Sequence, residues 1–259
     1  MKTNKFVMTM ALVAMLFMGV TKANAQVNAQ LFYDFGNDRE WITLTLEMFK
    51  QDKWGSTYFF VDHDFYYQDP RKDGNKRVAP GQTYTEIARA LNFWQNTKLK
   101  DLSLHAEYNG GIGNINNASR TSYPIYNAWL FGLEYFLHDK AYKNTLNLEV
   151  LYKTIRVNKQ AVPMQFTAVW ACNDLFGAKG LKFDGFADLW WETHTVYDKD
   201  SKPSEAKTVF ITEPQVWYRV GQHFGVPNLN VGTEIELSAN FGSTKGFKCR
   251  PCLGVKWDF

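Results

Sequence analysis

Alternation with a period of two residues, sustained over segments longer than most strands of water-soluble sheets, is what most restricts how this chain folds. In 229–241 one face carries Leu229, Val231, Thr233, Ile235, Leu237, Ala239 and Phe241; the other carries Asn230, Gly232, Glu234, Glu236, Ser238 and Asn240. Successive side chains of a strand leave opposite faces, so this run reads as a strand with one apolar and one polar side. The closing segment repeats the pattern, with Pro251, Leu253, Val255, Trp257 and Phe259 set against Arg250, Cys252, Gly254, Lys256 and Asp258. Ile42, Leu44, Leu46 and Met48 alternate likewise with Thr43, Thr45 and Glu47. After the N-terminal segment no stretch shows a convincing helical period.

Such runs give about twelve strands, near 28–36, 41–50, 56–67, 84–94, 101–112, 125–137, 145–154, 162–172, 181–195, 208–220, 228–241 and 249–259. Most exceed the ~5–6 residues of ordinary strands and match the ~9–11 that a tilted strand needs to cross a bilayer. The connectors are polar. The longest, 68–83, carries turn signals at Asp69-Pro70, Asp73-Gly74 and Pro80-Gly81. This pattern predicts an all-β fold, a twelve-stranded antiparallel transmembrane β-barrel formed by residues 26–259. In hydrocarbon every backbone N–H and C=O needs an internal partner, and closing the sheet removes its bare edges. Trp129, Trp191, Tyr218 and Trp257 are expected in the interfacial girdles. A soluble β-sandwich or lipocalin-like barrel also alternates, but strand length and the terminal aromatic Phe259 favour the membrane barrel. Arg89 resists it: it shares the outer face with Ile87, Leu91 and Phe93, where a mid-depth arginine costs ~2–4 kcal/mol.

Residues 1–25 read as a secretory signal peptide, with Lys2 and Lys5 before an apolar run from Phe6 to Val20 and Ala23-Asn24-Ala25 as the cleavage site. The chain has 29 Lys+Arg against 26 Asp+Glu. Lys2, Lys5 and Lys22 account for the excess, since 29 − 3 = 26, so net charge makes no case for a nucleic-acid partner. The expected location is the outer membrane of a Gram-negative bacterium. Three cysteines, an odd number, argue against a disulfide-built fold. Cys249 and Cys252 begin an alternating strand and point to opposite faces, which suits neither redox chemistry nor zinc.

Alternation also assigns the lumen. Tyr58, Phe60, Asp62 and Asp64 point inward from the third strand, Glu86 from the fourth, and Ser103, His105, Glu107 and Asn109 from the fifth. Further inward candidates are Glu47, Glu134, Glu149, Lys153, Asp184, Asp188, Trp190, Glu192, Glu213, Gln215, Trp217, Arg219, Glu234, Glu236, Arg250 and Lys256. Acids outnumber bases. Arg219, Arg250 and Lys256 flank Glu234 and Glu236, where cross-strand ion pairs are expected. One reading is a polar network that fills the barrel. The other is a narrow aqueous path in which the rings of Tyr58, Phe60, Trp190 and Trp217 stack flat solutes while carboxylates and arginine hydrogen-bond them.

Two stretches carry a family resemblance: LTLEMFKQDKWGSTYFFVDHDFY over 44–66 and NDLFGAKGLKFDGFADLWW over 173–191. With Glu86-Ile87 and the terminal strand ending in Phe259, the chain resembles the Tsx-like family of nucleoside-specific channel-forming outer-membrane proteins, and a related uncharacterised exported family of similar size. The resemblance implies a monomeric twelve-stranded barrel, passive nucleoside uptake, and pore-lining character for Glu47, Asp62 and Glu86. The terminal Phe259 matches the signature read by barrel-assembly machinery. An outer-membrane lipid hydrolase needs Ser and His on the outer surface. His63 is the one histidine placed there, without an outward serine on its neighbours, so no enzyme is expected. The alternation of Asp62, His63 and Asp64 argues against a metal cluster there. Neither a catalytic residue nor a cofactor is implied. A closed structural barrel, or a surface receptor acting through 68–83 and 196–207, is the remaining class.

Overall fold

A computed structural model describes residues 25–35, 39, 41–66, 79–114, 122–155 and 159–259. Its strands are β1 (Ala25–Asp34), β2 (Trp41–Asp52), β3 (Gly55–Tyr66), β4 (Ala79–Leu91), β5 (Leu102–Asn114), β6 (Ser122–His138), β7 (Asn144–Ile155), β8 (Met164–Asn173), β9 (Leu181–Tyr197), β10 (Pro203–Thr212), β11 (Gln215–Tyr218), β12 (Leu229–Ala239) and β13 (Phe247–Asp258). Each pairs antiparallel with its neighbour, and β1 pairs with β13 from Asn28↔Asp258 to Asp34↔Cys252, which closes the sheet. β10 and β11 both lie between β9 and β12 and share one place in the wall, so thirteen segments make a closed twelve-stranded barrel. No helix among the described residues is long and apolar enough to cross a membrane.

Polarity is inverted relative to a water-soluble protein. Exposed side chains on the outside include Leu31, Leu46, Ile87, Leu104, Trp129 at 51%, Phe131, Leu133, Leu148, Val150, Leu253 and Val255 at 47%. Gln30, Asp64, Ser103, His105, Glu107, Glu134, Glu149, Lys153, Glu192, Glu236, Arg250 and Lys256 are buried. A surface of this kind sheds water and suits hydrocarbon, while the lumen holds the groups that need hydrogen bonds. The lumen also contains apolar patches: Ala128, Leu130 and Leu151; Trp190, Val209 and Ile211; and Phe32, Trp217 and Cys252.

The structure departs from the periodicity in places. β4 begins at Ala79, so Pro80-Gly81 lies in a strand and not in a turn; Pro80 stands opposite Phe65, next to a register shift at His63/Phe65, where a missing N–H is tolerated. Asp69-Pro70, Asp73-Gly74 and all but the last residue of the expected leader lie outside the described residues; that last residue, Ala25, opens β1. The expected 196–207 loop is largely strand, because β9 runs to Tyr197 and β10 starts at Pro203. The expected tenth strand is interrupted at Glu213-Pro214, since proline has no N–H for the ladder. The register survives the break: Thr212 faces Ala187, and Gln215 faces Asp184.

Arg89 is accommodated by its position. It lies two residues from the end of β4, opposite Thr57, and its guanidinium reaches Asp52 and the Thr57 hydroxyl, each at 2.9 Å. It therefore sits beside the β2–β3 turn and not at mid-span. Two other turns at this end are fixed by carboxylates. Asp139 accepts hydrogen bonds from the backbone N–H groups of Ala141, Lys143 and Asn144. Asp174 accepts from Lys143 Nζ at 2.8 Å and from Gly180 N–H. The bond from Lys143 is the main reason that the Asp174 carboxyl is held below the usual range.

Candidate lumen site

The inward residues form rows across neighbouring strands. Asn28, Glu47, Phe60, Glu86 and Asn109 are successive cross-strand partners from β1 to β5. Gln30 donates to Glu47 Oε2 at 3.0 Å and Asn28 to Oε1 at 3.3 Å. The Thr45 hydroxyl donates to Asp62 at 2.5 Å, Thr43 to Asp64 at 2.9 Å, and Tyr84 to Glu86 at 2.6 Å. The rings of Tyr58, Phe60 and Tyr84 make a ladder with centroids 6.0 and 5.9 Å apart. Glu47, Tyr58, Phe60, Asp62, Tyr84 and Glu86 all keep partial solvent access, as do Asp184, Phe186 and Asp188 on β9.

A second group surrounds His105. Its Nε2 lies 3.0 Å from Glu107 Oε2, and its Nδ1 lies 3.1 Å from Glu134 Oε2 and 3.8 Å from Glu149 Oε2. Gly132 stands opposite His105, and a Cβ there would lie 2.0 Å from the Val150 carbonyl oxygen. A third group joins β12 to β13. Arg250 donates to Glu236 Oε1 at 2.6 Å, Arg39 meets the other oxygen at 2.6 Å, and Ser238 adds a hydroxyl at 2.7 Å. Glu192 is buried on β9, with an oxygen 3.6 Å from His194. Glu234 is hydrogen-bonded by Gln215.

Several expected roles change. Trp190 and Trp217 are inside, but each is buried and carries a lysine over its ring: Lys153 Nζ at 3.9 Å and Lys256 Nζ at 4.2 Å. Those cation–π contacts occupy the faces that a flat solute would need. Arg219 is not a lumen residue. The strand ends at Tyr218, and Arg219 is exposed at the start of a short 3-10 turn, with its N–H bonded to Gly180 O. Its expected pairing with Glu234 is made by Gln215 instead. Glu213 lies in the break between β10 and β11, with its N–H bonded to Phe186 O at 3.1 Å. Alternation missed Arg39, Tyr84 and Asp34. Arg39 precedes β2 and has no period to betray it, and no residue of the first strand is assigned inward to mark Asp34, whereas Tyr84 shares parity with Glu86 on the same strand.

Cys249 is exposed and Cys252 buried, with both thiols free, as their alternation predicts. His63 Nδ1 meets Thr83 Oγ1 at 2.7 Å on the outer wall.

A comparison with curated proteins finds no match. Among solved structures, the chain is similar to a BenF-like porin from Pseudomonas fluorescens Pf-5 (10% identity, 93% of this chain and 99% of that one, TM-score 0.41). It is similar to the outer-membrane channel DcaP of Acinetobacter baumannii at 10% identity, over 93% and 99% of the two chains, with a TM-score of 0.40. For the outer-membrane protein opdK of Pseudomonas aeruginosa the values are 11%, 91%, 97% and 0.34. The family model described as "Domain of unknown function (DUF5020)" matches residues 25–259, which span the whole barrel, and the chain belongs to that family.

Proposed function

We propose that the protein is a narrow channel in the outer membrane of a Gram-negative bacterium, for passive uptake of small polar solutes, with nucleosides as the substrate class. The observation that carries this reading is the part of the inner wall that water still reaches: the Tyr58–Phe60–Tyr84 ladder beside Glu47, Asp62 and Glu86, and Asp184 and Asp188 on β9. A ring ladder offers a stacking surface to a base. The carboxylates accept hydrogen bonds from sugar hydroxyls and exocyclic amines. On this reading the barrel works as a monomer in outer-membrane lipid, and assembly machinery engages Phe259.

Burial of Leu130 and Leu151 at 0% and of Trp217 at 1% favours a second reading, a closed structural or receptor barrel. Planar-bilayer recording of the refolded barrel separates the two. The channel reading expects discrete conductance that adenosine reduces with concentration, and expects Phe60→Ala to weaken that block about tenfold, the loss of roughly 1.4 kcal/mol of stacking. Conductance indifferent to adenosine removes the nucleoside and leaves a general pore. A silent bilayer removes the channel.

A further inference from the structure

The geometry points to a divalent transition-metal site on the inner wall, formed by His105, Glu107 and Glu149 with Glu134 behind the imidazole. Ligand atoms of His105, Glu107 and Glu149 lie within 4.8 Å of one another. With metal–ligand bonds of ~2.0–2.2 Å, donors around one ion stand roughly 3–4.4 Å apart, so small side-chain rotations close the set. Imidazole with carboxylates suits Zn²⁺ or a similar borderline cation, whereas Ca²⁺ and Mg²⁺ take oxygen-only shells.

A separate observation marks the place as incomplete without a cation. Glu149 is 6% exposed, and its Oε2 is fully buried with no hydrogen-bond partner. That oxygen points at His105 from 3.8 Å, beyond hydrogen-bonding range. A buried carboxylate oxygen without a donor is costly. Glu149 also stands directly opposite Glu134, and like charges in that relation repel. The lysine on the same face of β7 does not relieve them: Lys153 donates to Gln165 at 2.5 Å and lies over Trp190. A divalent ion on the Nε2 side, with the Glu149 carboxylate rotated toward it from its place beside Nδ1, gives Glu149 its partner and replaces the proton shared by His105 and Glu107. The Nδ1–H then donates to Glu134, an arrangement that fixes the ring and raises its basicity as a ligand.

The site depends on the barrel wall and not on whether solutes pass, so it is tested without conductance. The refolded barrel is stripped with chelator in detergent micelles and titrated with Zn²⁺, with metal per chain read by atomic emission and affinity by calorimetry. The expected result is one Zn²⁺ per folded chain, retained against a tenfold excess of Ca²⁺. Binding falls at least tenfold in His105→Gln and in Glu149→Gln. Glu149→Gln keeps the side-chain shape and lessens the repulsion with Glu134, so it decides the matter if His105→Gln does not fold. Heat-modifiable gel mobility identifies folded material. A folded wild type that binds no Zn²⁺, or a folded Glu149→Gln barrel that binds it unchanged, overturns the proposal, the latter by removing Glu149 from the ligand set.

Discussion

Arg250 and Glu236 show how far single residues were legible. Both alternate inward on adjacent strands, and they form a buried pair, with side chains 7% and 4% exposed. Arg39 joins them from between β1 and β2, outside any periodic run, so no pattern announces it. Arg219 failed for the opposite reason: the period was continued past Tyr218, where the chain already turns. Removing one member of a buried pair strands the other charge, whereas removing both leaves nothing unpaired. Arg250→Met is therefore expected to destabilise the folded barrel by about 3 kcal/mol, the lower end of the range because Arg39 still holds one oxygen of Glu236. Adding Glu236→Leu also takes the partner of Arg39, whose side chain is 23% exposed and can turn to water, so it is expected to recover part of that loss. Urea unfolding in micelles, followed by tryptophan fluorescence, measures both; equal losses in the single and double variants would refute the account.

Elements were legible wherever the two faces differ in polarity. β12 and β13 have clean alternation, and their observed extents fall within about two residues of those expected. β6 is harder: Ala128, Trp129, Leu130, Phe131 and Leu133 are all apolar, and only Glu134 sets the phase. For that reason the lumenal patch of Ala128, Leu130 and Leu151 was not anticipated. The interrupted β10–β11 strand depends on β9 opposite. Gly185 has φ = 150°, and a Cβ there would lie 2.4 Å from the Glu213 carbonyl oxygen and 3.0 Å from Pro214 Cα. Both contacts are backbone and cannot swing aside. Gly185→Ala is expected to cost about 1–3 kcal/mol and to raise amide exchange in β11 selectively, because that four-residue segment is held only through β9 and β12. Exchange measured by mass spectrometry that stays unchanged in β11 would show the break to be insensitive to its neighbour.

At the scale of the whole molecule, the deciding question is which solvent the outer wall meets. A lipocalin-like barrel and a membrane barrel share alternation, closure and antiparallel order; they differ in which face is apolar. Here the outward residues of β7, Leu148, Val150 and Tyr152, are exposed, while Glu149 and Lys153 between and beside them are buried. Alternation alone does not say which face is apolar; strand length favours the inversion, because strands this long match the span of a bilayer. The filling of the lumen was not readable, because it depends on contacts across several strands. Val150 lies near the middle of β7, far from the turn that shelters Arg89. In lipid, Val150→Arg is expected to cost ~2–4 kcal/mol. On a water-facing wall the same change stays within about 0.5 kcal/mol. Arg89→Leu at the end of β4 serves as the paired control. It loses a partly exposed ion pair with Asp52 and a hydrogen bond to Thr57 and gains an apolar surface, so it shifts stability by no more than about 1 kcal/mol. Equilibrium folding into phospholipid vesicles across a urea series gives both stability changes. Val150→Arg that folds as well as the parent barrel would mean that the exposed apolar band is not in contact with hydrocarbon.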